Sequence, residues 1–329
     1  MLVLSKQDMQ SVFSMAEAVK AIKNAFRLFS EGKTIAPLRT KINVAKHDGM
    51  ALFMPAYVEE TESLGLKIVS VFPLNPNVGK PAVPSTMIFM DNTSGEVSAI
   101  MDGTYLTQIR TGAAAGAATD LLARKDSAVG AIIGAGGQLS SQLEAMLTVR
   151  KMKEVRIYDA VEGRANKAVE IESEKWKLYD VRIVAAISAE EAVTGADIIT
   201  TVTTAKKPVF HEEAVKKGAH VNGVGSYMPV MQEIPPEIFL KASRVFVDSR
   251  DAVLSEAGDL IIPINEGRFT KEIISGELGE LVVGRAAGRE NDKDITVFKT
   301  VGIGVQDVIT ASEIFLRAKR NNVGTEISF

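Results

Sequence analysis

Apolar positions change rhythm twice along this chain. In SMAEAVKAIKNAFRLFSEG, Ala18, Ile22, Ala25, Phe26 and Phe29 recur at helical spacing and share one face. Ser14 and Glu17 stand in capping-box spacing and Gly32 follows, so the stretch predicts an amphipathic helix that stops at Gly32. After Pro37 the rhythm shortens. LRTKINVA, MALFMPAYV, LGLKIVSVF and TMIFMD are short β-rich runs broken by Gly, Pro and Asn, and DNTSGE before VSAIMDG predicts a hairpin turn. The front of the chain therefore predicts an α+β domain on an antiparallel or mixed sheet.

From Ala128 onward strands and helices alternate. AVGAIIG precedes the helical QLSSQLEAMLTVRK, VRIYDA precedes VEGRANKAVEIESEKW, and VRIVAA precedes SAEEAVTGA, where Ser188 and Glu191 form another capping box. ADIITTVTT, AHVNGVG and RVFVDS follow as further strands. Apolar strands without alternation, separated by helices, predict a parallel sheet covered on both faces, the doubly wound pattern. DITVFKTVGIGVQDVITASEIFLRAKR gives a last strand and a helix free to pack back on the front domain.

At 329 residues, two domains are the default. A chain 46% hydrophobic and 24% charged is globular in composition, and a net charge of −3 with no basic run excludes a general attraction to nucleic acid or anionic lipid. Without cysteine there is no disulfide, thiolate metal site or cysteine nucleophile, and His47, His211 and His220 show no ligand spacing, so no metal site is expected. MLVLSKQDMQ carries too short an apolar run for a signal segment, and no stretch approaches a membrane span; a cytoplasmic protein is expected.

Candidate chemistry begins at GAIIGAGGQ, residues 130–138. A strand precedes Gly134, a helix follows Gly137, and Asp159 ends the next strand near the spacing of a ribose-binding carboxylate. Glycines there let backbone N–H groups at the helix start approach a pyrophosphate. Leu139 stands where the fingerprint has Gly or Ala, so the match is imperfect. Asp159 suits a ribose diol and repels a 2′-phosphate, which favours NAD(H), while nearby Arg164 leaves NADP(H) open.

Three cations stand out in the front domain. Lys67 interrupts a strand apolar on both faces; it is either an edge-strand lysine turned to water or a buried ammonium with a depressed pKa, suited to proton transfer. Arg39 and Arg110 are either surface ion-pair partners or guanidinium forks for a small carboxylate. Small residues after Arg110, in RTGAAAGAATDLL, allow close helix packing.

PLRTKI, GMALFMPAY, LGLKIVSVFPLNPNVGKP, TMIFMDNTSGEVSAIMDGTYLTQIRTGAAAG, IIGAGGQ, HVNGVGSYMPVMQEI and ITVFKTVGIGVQD run in order from residue 37 to 307, and together they resemble the ornithine cyclodeaminase/mu-crystallin family. The resemblance implies a Rossmann-type doubly wound parallel sheet of residues 113–305, with an α+β substrate-binding and dimerisation domain of residues 1–112 and 306–329. It implies NAD(P)(H), a small imino or amino acid substrate and a homodimer. It makes Lys67 the catalytic lysine, Arg39 and Arg110 the substrate-carboxylate arginines, and Thr86 a pocket position. Gly134, Gly136, Gly137, Gln138 and Asp159 match the dinucleotide loop and ribose acid, Thr111 and Gly112 phosphate contacts, and Thr203 and Val301 positions near the cofactor.

One departure bears on the choice between activities. Cyclodeaminases of this family carry an aspartate where VGSYMP has Ser226, and that aspartate is the base for ring closure. Glu256, in SEAGDL, is a candidate substitute carboxylate whose place in space the sequence does not give. Reduction of a cyclic α-imino acid is therefore the leading expectation, with ornithine cyclodeaminase, an alanine dehydrogenase-type enzyme and a redox-inactive dinucleotide-binding protein as alternatives. Retention of Arg39, Lys67 and Arg110 argues against the last.

Overall fold

Ser14 caps the first long helix as the sequence predicts. Its hydroxyl accepts from the Glu17 backbone N–H while the Glu17 carboxylate accepts from the Ser14 backbone N–H at 2.8 Å. A computed structural model describes residues 1–328, and the chain divides into two compact units: Met1–Arg110 with the segment from Gly302 onward, and Thr111–Val301.

The first unit opens with β1 (Leu2–Leu4), α1 (Lys6–Val12) and α2 (Met15–Ser30), the last burying Ala18, Ile22, Ala25 and Phe26 as expected, together with Met15, Val19, Ala21 and Leu28, while the expected Phe29 is only half-buried. Then come β2 (Thr34–Ile35), β3 (Thr40–Val44), β4 (Gly49–Val58), β5 (Ser63–Val71), β6 (Ser85–Met90) and β7 (Val97–Asp102). Asp91 fixes the turn between β6 and β7 by accepting from the Thr93 and Ser94 N–H groups. Helix α3 (Gly103–Leu122) continues the chain through Arg110 and Thr111 into the second unit.

That second unit contains β8 (Val129–Ile133), α4 (Leu139–Val149), β9 (Glu154–Tyr158), α5 (Arg164–Lys175), β10 (Arg182–Ala185), α6 (Ala189–Val193), β11 (Ile198–Thr201) and β12 (His220–Gly223). It continues with α7 (Pro236–Lys241), β13 (Arg244–Val247), α8 (Arg250–Glu256), α9 (Gly258–Asn265), β14 (Gly276–Glu277), α10 (Leu278–Val282) and β15 (Thr296–Lys299). The chain then returns to the first unit as α11 (Gly304–Asn321) and β16 (Thr325–Glu326).

In the first sheet the order is β16-β1-β7-β6-β5-β4-β2, with β3 also on β4. β1 runs parallel to β7 and the other pairs are antiparallel, so the sheet is mixed. Helix α11 packs on α2 and on β4, β5 and β6.

The second sheet is parallel throughout, in the order β10-β9-β8-β11-β12-β15-β13-β14. Every residue of β11, β12 and β15 is buried, as a sheet covered on both faces requires. His220 lies among them, its ring bonded to Thr296 and Asn222, and burial drives its pKa down to about 3. A neutral structural histidine results. Among the described residues, no helix is long and apolar enough to cross a membrane.

Candidate functional site

Lys67 sits mid-strand in β5 and is 1% exposed. Strand alternation turns its side chain to the face that β5 shares with Met54 and Met87, its cross-strand partners, both buried. That face is covered by α11, whose first turn supplies Asp307. Asp307 Oδ1 receives Lys67 Nζ at 2.8 Å and lies 3.0 Å from Arg110 Nε. Gln306 Oε1 accepts from Arg110 Nη1 at 2.8 Å.

Burial, and then the charge of Arg110, push the Lys67 pKa down to about 7; Asp307 pulls it back up, and Arg39 adds to the depression. A lysine at that value exchanges its proton near neutrality. The pairing of Asp307 with two cations keeps both positions tenable without water. Its other oxygen, Oδ2, is buried without a hydrogen-bond partner.

Gly302 joins the two arginines. Arg39 Nη2 donates to the Gly302 carbonyl at 2.6 Å, and an added Cβ on Gly302 would stand 2.3 Å from Arg110 Nη1. At φ +81 the residue also favours glycine. Gly302→Ala is expected to lower the unfolding free energy by about 1–3 kcal/mol. Gly284→Ala is the control, because Gly284 has φ +75 with nothing within 4 Å of an added Cβ. In urea unfolding the Gly302 variant should lose more than the control; equal losses would mean that Arg110 moves aside freely.

Arg39, Lys67 and Arg110 are thus brought together within one unit. Thr86 is not: it is exposed and stands opposite Ile68, one residue out of phase with Lys67, so its side chain leaves the sheet on the other face. Sequence reasoning missed Asp307, Gln306 and Gly302. The clue available was GIGVQD, in which a glycine pair precedes two polar residues at a helix start.

In the second unit, Gly134 takes φ +108 directly after β8, and an added Cβ would meet the Val202 carbonyl at 2.7 Å. Gly136 and Gly137 are exposed, and Gln138 occupies the N-cap of α4 without a side-chain cap bond; Leu139 N–H turns back to the Gly136 carbonyl at 3.1 Å, and no side chain caps the start of the helix, where an anion is favoured. Gly112 packs against the first turn of α4, where an added Cβ would stand 2.4 Å from the Ser141 carbonyl. Beside it the Thr111 hydroxyl is buried without a partner, as are both polar atoms of Gln142. Orphaned polar atoms beside an uncapped helix start fit a pyrophosphate-bearing ligand.

Asp159 follows β9 and ties the turn down: Oδ2 accepts from Ala135 N–H at 2.7 Å and Oδ1 from Val161 N–H at 2.8 Å. Each oxygen keeps lone-pair capacity for a diol. Arg164 Nη1 lies 3.5 Å away on a half-exposed side chain. Thr203 donates its N–H to Glu233, and Val301 donates its own to Asp248 at 2.9 Å. Ser226 is fully buried, its hydroxyl donating to the Met231 carbonyl at 2.8 Å, and Glu256 ends α8 half-buried.

The model of the ornithine cyclodeaminase/mu-crystallin family matches residues 1–322. The Delta(1)-pyrroline-2-carboxylate reductase of Bacillus cereus is 41% identical over 331 residues, covering 100% of both chains. Among solved structures, Thermococcus litoralis Delta(1)-pyrroline-2-carboxylate reductase in complex with NADH and L-proline superposes with a TM-score of 0.95 at 40% identity, over 99% of this chain and 100% of that one. An archaeal alanine dehydrogenase dimer with bound NAD gives 0.91 at 35% identity, over 100% and 99%.

Proposed function

The chain belongs to the ornithine cyclodeaminase/mu-crystallin family, and from that premise we propose that it reduces the C=N bond of a small cyclic α-imino acid, of the pyrroline- or piperideine-2-carboxylate type, with NADH. The observation that carries this reading is Lys67, a fully buried ammonium with a pKa near 7 set between a carboxylate and two arginines. Similarity to the two pyrroline-2-carboxylate reductases supports the substrate class, and the NADH- and NAD-bound relatives support the cofactor. A cytoplasmic homodimer is the proposed working form, supported by the dimeric alanine dehydrogenase.

The substrate carboxylate pairs with Arg39 and Arg110, whose shared contact at Gly302 fixes their spacing. Lys67 Nζ holds the proton that the imine nitrogen needs. A protonated C=N is the stronger electrophile, and Asp307 keeps the ammonium aligned while raising its proton affinity. The bound dinucleotide supplies the hydride that the imine carbon accepts. One hydride on carbon and one proton on nitrogen convert the cyclic imine to the cyclic amine.

The Ser226 hydroxyl, which donates to the Met231 carbonyl, supplies no base for the ring-closing amine, which favours reduction over cyclodeamination. Purified protein is expected to consume NADH with pyrroline-2-carboxylate and release proline. No consumption across pH 5–9, or proline formation from ornithine with catalytic NAD, would overturn the assignment.

A further inference from the structure

Glu233 lies between β12 and α7 and is fully buried, outside the cluster around Lys67. Its two carboxylate oxygens accept from three backbone N–H groups. Oε1 takes Thr203 at 2.5 Å, and Oε2 takes Gly225 at 2.6 Å and Ser226 at 2.8 Å. Thr203 follows β11, and Gly225 and Ser226 follow β12, so one side chain closes the loops at the carboxyl ends of two neighbouring strands. The two loops touch: an added Cβ on Gly225 would stand 2.2 Å from the Thr203 carbonyl.

Glu233 is itself held from behind. Its N–H donates to Asp259 Oδ1 at 2.6 Å, as does Ile234 N–H at 3.0 Å. Asp259 Oδ2 pairs with Lys299 Nζ at 3.0 Å, and that ammonium also donates to the Gly223 carbonyl at 3.1 Å. All three charged side chains are fully buried. On the other side, Thr203 reaches the glycine turn, its Cγ2 lying 3.0 Å from where a Cβ on Gly134 would be. A continuous set of contacts therefore runs from a buried ionic chain to the dinucleotide turn, on the strand edge where open α/β sheets bind their ligands.

We propose that Glu233 is a positioning residue for the dinucleotide, a buried carboxylate that sets the loops after β11 and β12 in their binding geometry before the cofactor arrives. This rests on reading the second unit as the NADH site. Glu233 engages both carboxylate oxygens with those backbone N–H groups and acts on the cofactor only through them. Its effect passes through the Thr203, Gly225 and Ser226 backbone, and Asp259 and Lys299 fix its place.

Glu233→Gln keeps the shape but turns an NH₂ group toward N–H donors. NADH affinity, read by fluorescence titration of the purified protein, is expected to fall about tenfold, with kcat at saturating NADH and the imino-acid KM within twofold of wild type. Wild-type affinity in a folded Glu233→Gln protein would overturn the proposal, as would a loss confined to kcat. Should that variant not fold, hydrogen exchange on the wild type decides: the Thr203, Gly225 and Ser226 amides are expected to be protected without cofactor, and fast exchange there overturns the proposal. Failure of the wild type to bind NADH would instead remove the underlying reading.

Discussion

Lys67→Met is expected to lower kcat/KM for the imino acid by about 10²–10⁴-fold while leaving NADH affinity unchanged. Methionine fills the same slot between Met54 and Met87 and removes the proton carrier, leaving Asp307 to its pair with Arg110. In wild type, an acid with a pKa near 7 is charged below that pH and loses its proton above it, so kcat/KM should fall with rising pH through neutrality. The stability signature has the opposite sign. The folded pKa lies below the unfolded value of about 10.4, so the unfolded chain binds more protons between the two, and stability rises with pH across that window. Urea unfolding at pH 7 and pH 10 should show that rise in wild type and a flattened one in the variant. Full activity in Lys67→Met would end its assignment as proton donor.

Asp307→Asn should have the next largest effect. The carboxylate pairs with both Lys67 and Arg110 where neither meets appreciable water, and removing its charge leaves two buried cations facing each other. A loss of about 3–5 kcal/mol in unfolding free energy is the expected scale. Because Asp307 raises the Lys67 pKa, its neutralisation should also move the fall in kcat/KM to lower pH. Stability and pH profile must change together. A destabilised variant with an unmoved profile would make Asp307 a structural anchor with no hold on the proton of Lys67.

The parts of this molecule that declared themselves in the sequence are those with local causes. The Ser14 and Glu17 cap, the alternation of strands after Ala128 and the Asp91 turn each depend on residues a few positions apart. Lys67 was legible because an ammonium inside an apolar strand is anomalous without its partner being known. The partner was not legible: Asp307 lies 240 positions away in a stretch that reads as an ordinary helix. Thr86 stands opposite Ile68, one residue out of phase with Lys67, a relation that only the strand register reveals. Asp159 stands where the pattern put it, yet its oxygens also brace the glycine turn, a role the fingerprint does not encode. Between RVFVDS and DITVFK no element is assigned from the sequence, and there the chain holds three short α-helices, a single 3-10 turn and a two-residue strand. Glu233 lay hidden in a loop whose only pattern is PP.

The Arg39 bond to Gly302 and the Lys67 pair with Asp307 close loops of 263 and 240 residues. During synthesis the whole parallel-sheet unit leaves the ribosome before those loops can shut, although it lies in the middle of the chain. Until α11 emerges, the sheet face that carries Lys67 lacks both its cover and the anion that Asp307 supplies. The proton-handling centre thus waits on the C-terminal segment, and only the remainder of α11 and β16 follow it.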